Sequence, residues 1–368
     1  MKILILTNFF DGLHKFRKEL VERLARENEL VCALPDDQKK SWFAEIGCKY
    51  IEVSMDNRGT NPANDLRLFR AYRRIIRQEK PDVVLTYTIK PNIYGGIAAA
   101  REGIPYIANI TGLGTGISQK NLLSKAIGFL YKKALKKATC TFFQNKENMK
   151  FFLERKMVSG TYRLIPGSGV NITEHIFEDY PEEERATKFL FVGRVMKEKG
   201  IDEFLSAAER VKAIYPDTLF DIVGWLEEKE YEAVSKDYQE RSIVQYHGPQ
   251  TDIHSFIKNS HATVNPSYHE GMSNVLLESA STGRPVIASN IPGCRETFED
   301  GVSGLAFEPR NAEDLTDKLI KFIQLPYEKK KAMGIAGRKK VEKEFDRNIV
   351  IDAYMEEINI IRAALERR

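Results

Sequence analysis

The chain has 368 residues, more than one hydrophobic core usually serves, so two domains are expected. With 42% hydrophobic and 29% charged residues its composition is ordinary for a globular protein, and 56 Lys and Arg against 52 Asp and Glu leave a net charge of only +4, too little to imply a nucleic-acid partner. The four cysteines, Cys32, Cys48, Cys140 and Cys294, form no CxxC pair and point to reduced cytosolic thiols over a zinc site or a disulfide framework, and no stretch approaches the roughly 20 apolar residues of a bilayer span.

The first element, KILILT after Met1, reads as a β-strand, and its apolar run is too short for a secretory leader. LVCAL, YIEV, DVVLTY, PYIANI and ATCTFF are the other strand candidates of the first half. Amphipathic stretches such as FRKELVERLAREN and DLRLFRAYRRIIRQEK separate them, which predicts βαβ units and a parallel sheet. Three loops follow strand ends: FFDGLHKFRKEL with Gly12 in the turn, TYTIKPNIYGG with Lys90 and Asn92, and NITGLGTG with Thr111 and Gly112. The dense glycines of the last favour approach of a ligand over a mere connection. NLLSKAIGFLYKKALKK, covering 121–137, mixes apolar residues with Lys125, Lys132, Lys133, Lys136 and Lys137. It reads either as a core-packed helix with a solvated lysine face or as a basic amphipathic helix on an anionic membrane surface.

A stretch rich in Gly, Pro and charge places a linker at 166–171, and the sequon Asn171-Ile172-Thr173 beside it is put down to chance. The strand pattern then restarts with KFLFVG, LFDIVG, IVQYHG, ATVNPS, PVIAS and GLAFEP. The expected organisation is a Rossmann-like domain over 1–168, a second over 169–345, and a helical tail, 346–368, that packs back on the first. Doubly wound domains bind ligands at the C-terminal edges of their strands, so a cleft between two of them is the expected site.

Two motifs of the second half carry chemistry. FVGRVMKEKG follows a strand and opens a helix; Gly193 permits close backbone approach, and Arg194 and Lys199 can converge on a diphosphate as fixed cations. A solvated basic turn is the plainer alternative. HEGMSNVLLESASTG reads as a loop and then a helix starting near Met272 or Ser273. The first amides of that helix, at Ser273, Asn274 and Val275, suit a phosphate. Glu278, one turn beyond Asn274, can accept both hydroxyls of a ribose, and Glu270, on the loop ahead, can reach a sugar beyond the phosphates. A capped amphipathic helix with solvated glutamates is the alternative.

In this order the two motifs resemble glycosyltransferase family four, retaining enzymes of the GT-B fold whose C-terminal domain carries a G-R-x4-K and an E-x7-E element. DIVGW, YHGPQTDI and IPGCRETFEDGVSGLAFEP are further matches, and the resemblance is strongest over 188–309. HKFRK, IKPNIYGG and TGLGTG are similar to the branch that builds bacterial capsule, O-antigen and lipid-linked oligosaccharides. Many relatives place a histidine after the corresponding first-domain strand; here Thr111 and Gly112 stand there, and that histidine's role stays unassigned.

The resemblance implies an α/β chain of two Rossmann-like domains facing across a cleft, and a role for each residue. Arg194 and Lys199 would neutralise the departing diphosphate, Glu278 would hold the ribose, and Glu270 would bond the transferred sugar. Backbone from Gly271 through Met272, Ser273 and Asn274 to Val275 would seat the sugar and distal phosphate. The base would lie near Gly224, Trp225 and His247, which otherwise read as strand-end turn residues. Gly12 would serve the donor, and His14, Arg17, Lys90, Asn92, Thr111 and Gly112 the acceptor, with a surface helix turn as the alternative for His14 and Arg17. The implied reaction moves an N-acetylhexosamine or hexose from a UDP-sugar to a polyprenyl-diphosphate-linked saccharide, without metal or cofactor, since no Asp-x-Asp motif is present. The implied location is cytoplasmic, peripheral on the inner face of the bacterial plasma membrane. The other readings are a UDP-N-acetylglucosamine epimerase of the same fold and a non-catalytic nucleotide-sugar-binding protein.

Overall fold

The structure, a computed structural model, describes residues 1–35, 40–56, 59, 61–112, 122–183 and 186–367. Its packing divides the chain into two units, Met1–Ser168 with Asn348–Arg368, and Gly169–Arg347.

In the first unit, β1 (Lys2–Leu6), β2 (Glu29–Leu34), β3 (Lys49–Glu52), β4 (Val83–Tyr87), β5 (Tyr106–Ile110), β6 (Cys140–Phe143) and β7 (Thr161–Leu164) form one sheet. The order is β3-β2-β1-β4-β5-β6-β7, with every neighbouring pair parallel. The central strands are buried along their whole length, as expected where helices cover both faces of a parallel sheet. β7 escapes the sequence reading for a physical reason. It is an edge strand whose Tyr162 and Leu164 stay exposed, so it carries no buried apolar run to recognise.

The helix Arg347–Glu366 supplies Val350, Tyr354, Ile358 and Ile361 to the same core as Ile5, Leu85 and Phe142. Asn109 Nδ2 donates to Tyr354 Oη at 2.7 Å, and Arg163 pairs with Glu356 at 2.8 Å. The tail is thus part of the first unit's core.

The second unit contains β8 (Lys188–Val192), β9 (Leu219–Val223), β10 (Gln245–Tyr246), β11 (Ala262–Asn265), β12 (Val286–Ser289) and β13 (Gly304–Phe307). These pair in the order β10-β9-β8-β11-β12-β13, again all parallel. In both sheets the winding reverses between two neighbouring strands, β1 and β4 in one, β8 and β11 in the other. The loops leaving the C-terminal ends of such a pair diverge to opposite faces and open a crevice, the usual binding place of an open α/β sheet.

Candidate nucleotide-sugar site

The loops after β8 and β11 meet at the second unit's reversal point. Lys199 Nζ and Glu270 Oε1 lie 2.5 Å apart, and Ser267 Oγ donates to the same oxygen at 2.8 Å. Backbone ties hold this pair: the Tyr268 amide donates to the Glu198 carbonyl at 2.9 Å, and a short 3-10 turn, Lys197–Lys199, presents the lysine. Gly200, at φ 71°, ends that turn; a Cβ there would fall 2.1 Å from the Pro266 carbonyl oxygen. Only glycine lets the two loops touch. Beneath them Tyr268 Oη donates to both oxygens of buried Glu203, at 2.8 and 3.0 Å, and the Arg310 guanidinium lies 4.5 Å from the centre of the tyrosine ring.

Lys199 and Glu270, read separately as a phosphate ligand and a sugar ligand, therefore form one unit. The ammonium has three donors and spends one on Glu270, leaving two for an anion. Arg194 leaves the same loop and pairs with Glu227 at 3.6 Å, with about a third of its side chain in solvent. Trp225 Nε1 donates to the other Glu227 oxygen at 3.0 Å, so Glu227 tethers both an arginine and an exposed indole.

The helix after β11 runs Asn274–Ser281 with Ser273 as its N-cap. Here one expectation is corrected. The Ser273 amide is not open to a phosphate, because it donates to the Gly293 carbonyl at 2.8 Å. Its hydroxyl is also engaged, accepting from Asn265 Nδ2 at 2.7 Å. Asn274 and Val275, at the first helical positions, have no intrahelical acceptor for their N–H groups. Met272 is buried in an apolar cluster with Val170 and Leu277 and contributes packing, and Gly271 lies against Gly293, whose added Cβ would fall 2.7 Å from the Gly271 carbonyl oxygen. Glu278 sits one turn in, half-buried, and its carboxylate has no hydrogen bond or ion pair among the described residues.

On the flank toward β9, a Cβ on Gly224 would fall 1.7 Å from the Gly193 carbonyl oxygen. The close approach read at Gly193 is thus made to a neighbouring strand end. His247 Nε2 is hydrogen-bonded to Asp221 Oδ1 at 2.7 Å, and its ring packs edge-on against Phe256.

In the first unit several residues expected at the acceptor, and Gly12, expected at the donor, are engaged by the fold. Asn92 is fully buried: Thr86 Oγ1 donates to its Oδ1 and its Nδ2 donates to the Asn109 carbonyl, both at 2.7 Å, so it pins β4 to β5. Lys90 is bound to Asp65 at 2.8 Å, an oxygen pair shared with Tyr94 Oη, and braces the helix Pro62–Glu79. Gly12 lies inside the helical turn Asp11–His14, not in an open turn, and a Cβ there would fall 2.8 Å from the Phe9 ring. His14 stacks on Phe10 and meets Trp42 edge-on. Thr111 and Gly112 are half-buried, and the glycine-rich loop beyond them, 113–121, lies outside the described residues. Ser267, Tyr268, Glu203, Gly293 and Glu227 were not picked out from the sequence; Tyr268 and Glu203 meet across 65 residues, and Gly293 and Ser273 across 20, with no local pattern to mark them. Gly200 had a signal, a glycine between a charged turn and a helix.

A doubly wound unit with a cation–carboxylate pair and a helix start at its reversal point is the class of site that binds phosphorylated nucleotides. Two family models match the chain: glycosyl transferase 4-like over residues 2–145 and glycosyl transferases group 1 over residues 172–340. The chain belongs to this glycosyltransferase family, in the company of bacterial lipid-linked O-antigen and capsule enzymes. It is 25% identical, over 96% of its length and 97% of the relative's, to N,N'-diacetylbacillosaminyl-diphospho-undecaprenol alpha-1,3-N-acetylgalactosaminyltransferase of Campylobacter jejuni. It is 24% identical to an Escherichia coli UDP-Gal:alpha-D-GlcNAc-diphosphoundecaprenol alpha-1,3-galactosyltransferase, over 78% of this chain and 75% of the other. Among solved structures, a Rickettsia africae glycosyltransferase superposes with a TM-score of 0.80 at 18% identity over 98% of both chains. Anabaena HepE, solved with UDP and glucose, does so at 0.79 and 16%, over 98% of this chain and 99% of that one. The fold is GT-B, with two Rossmann-like domains, and the protein is a glycosyltransferase enzyme.

Proposed function

We propose that the enzyme transfers a hexose or N-acetylhexosamine, with retention, from a UDP-sugar to a polyprenyl-diphosphate-linked saccharide. The observation that carries the donor half is the Lys199–Glu270 pair at 2.5 Å beside the start of the helix Asn274–Ser281. Lys199, Arg194 and the Asn274 and Val275 amides receive the diphosphate and stabilise the charge that grows on it as the sugar leaves. Glu270 orients the sugar, and Glu278 takes the ribose hydroxyls. The acceptor half is supported by the two bacterial relatives, whose names specify saccharides on diphospho-undecaprenol and diphosphoundecaprenol. They favour a transferase over an epimerase or a mere binding protein. UDP release, followed over a panel of nucleotide sugars with short lipid-diphosphate saccharides, tests the reading; failure of every such acceptor to elicit release, whatever the donor, would refute it.

Glu278→Ala is expected to weaken UDP binding about 10- to 100-fold, roughly the net worth of one charged hydrogen bond. Calorimetric titration with UDP measures this, and an unchanged affinity removes Glu278 from the ribose.

We place the enzyme at the inner face of the plasma membrane, through the helix Leu122–Leu135. Tyr131, Ala134 and Leu135 are buried, whereas Lys125, Phe129, Lys132, Lys133 and Lys136 are exposed at helical spacing, with Phe129 66% exposed. Cations flanking an outward aromatic suit an anionic lipid surface. Replacing Lys132, Lys133, Lys136 and Lys137 with glutamine is expected to lower binding to phosphatidylglycerol vesicles at least about tenfold, at roughly 1 kcal/mol per lysine. Unchanged sedimentation with vesicles would return the helix to the solvated-face reading.

A further inference from the structure

The first unit has its own reversal point, between β1 and β4, and a buried cation stands there without a counter-ion among the described residues. Arg17 is only 7% exposed. Its guanidinium stacks on the Tyr87 ring, 4.5 Å from the centroid, at the end of β4. Nη1 donates to the Gly12 carbonyl at 3.4 Å, but Nε and Nη2 have no partner, and among the described residues no carboxylate pairs with it. Nε and Nη2 form the side edge of the guanidinium, the fork whose two parallel N–H groups match two oxygens of a phosphoryl group.

Further orphaned groups lie at the same place. Leu6 is opposite Thr86 in the β1–β4 register, so Asn8 and Thr88, two residues beyond, leave the sheet from adjacent strands. Asn8 Oδ1 and Thr88 Oγ1 are both buried without a hydrogen bond, and Thr88 holds φ 71°, a strained value for a β-branched residue. A buried unpaired charge costs several kcal/mol, more than a stack on one ring returns. As a core residue alone, Arg17 would be worse than a methionine of similar length.

We propose that the unpaired Nε–Nη2 edge of Arg17, at the strand ends that Asn8 and Thr88 also leave, binds a phosphoryl oxyanion of a substrate of the first unit. The proposal rests on the reading of the enzyme as one that handles two diphosphate substrates, and it narrows the acceptor expectation for Arg17 to one atom pair. The group bound is assigned to the diphosphate of the acceptor, whatever saccharide or lipid carries it.

The probe is inorganic pyrophosphate, titrated calorimetrically into full-length enzyme saturated with UDP, so that the second unit's site is filled. One pyrophosphate site is expected. It should weaken at least about tenfold in Arg17→Lys, which keeps the charge but loses the fork, and vanish in Arg17→Met. Arg17→Met should melt no lower than the parent, because it removes an uncompensated buried charge while keeping the stack's volume. UDP affinity is expected to stay unchanged in both variants, and a parallel loss of UDP affinity would overturn the proposal. Absence of a pyrophosphate site in the UDP-saturated parent overturns the proposal, as does a site that both variants retain. These outcomes are independent of turnover. An enzyme that ignores lipid-linked saccharides yet keeps the Arg17-dependent site would refute the proposed acceptor and leave this inference standing.

Discussion

Lys199→Ala is expected to lower the transfer rate about 10²- to 10³-fold, or roughly 3–4 kcal/mol of lost transition-state stabilisation. The lysine is held ready: Glu270 and the Lys197–Lys199 turn position its ammonium before any substrate arrives, so little reorganisation is spent when the leaving diphosphate gains charge. The fold should tolerate the change. Glu270 keeps its bond from Ser267, and the pair is partly solvated, with 24% of the lysine side chain and 14% of the glutamate exposed. The thermal midpoint should therefore move little while kcat collapses. Arginine is not expected to restore the rate, because its planar fork cannot occupy the place of a compact ammonium 2.5 Å from a carboxylate oxygen. Steady-state kinetics alongside a melting curve separate the two effects; an active Lys199→Ala enzyme would remove the lysine from the chemistry.

Gly200→Ala is expected to damage both stability and activity. The left-handed φ costs a side chain about 1–2 kcal/mol. The new Cβ would also stand 2.1 Å from the Pro266 carbonyl oxygen, a backbone atom that cannot swing away. The β8 and β11 loops must then part, and with them the Lys199–Glu270 pair. A total loss of about 2–4 kcal/mol of stability is expected, near the upper end for one substitution. At a temperature where the variant remains folded, its transfer rate should fall at least as far as that of Lys199→Ala. Denaturant unfolding and kinetics at low temperature check both halves; a stable, active Gly200→Ala enzyme would show that the contact of the two loops is dispensable.

The sheets were legible because parallel strands buried on both faces leave short, dense apolar runs, as in KILILT and PVIAS. β7 was not, because an edge strand with its side chains in solvent has no such run. The elements at the second unit's reversal point were legible as spacing, Arg194 to Lys199 and Glu270 to Glu278. What spacing cannot tell is which groups are already engaged. The Ser273 amide is taken by Gly293, twenty residues on; the Asn92 amide is taken by Thr86 and by Asn109; and Lys90 is taken by Asp65. Each is a polar group near a strand end or helix start, where ligand contact and fold bracing call for the same residue types. Only the tertiary partner distinguishes them. The reverse holds for Arg17, whose sequence surroundings are plain but whose Nε and Nη2 the fold buries without a partner.

A crystal structure of the enzyme soaked with UDP is the most direct trial of where the donor is gripped. The expected map has diphosphate oxygens within about 3.2 Å of Lys199 Nζ and of the Asn274 and Val275 nitrogens, with both ribose hydroxyls on Glu278. Nucleotide density elsewhere, or a diphosphate turned away from the β8 and β11 loops, would contradict the account.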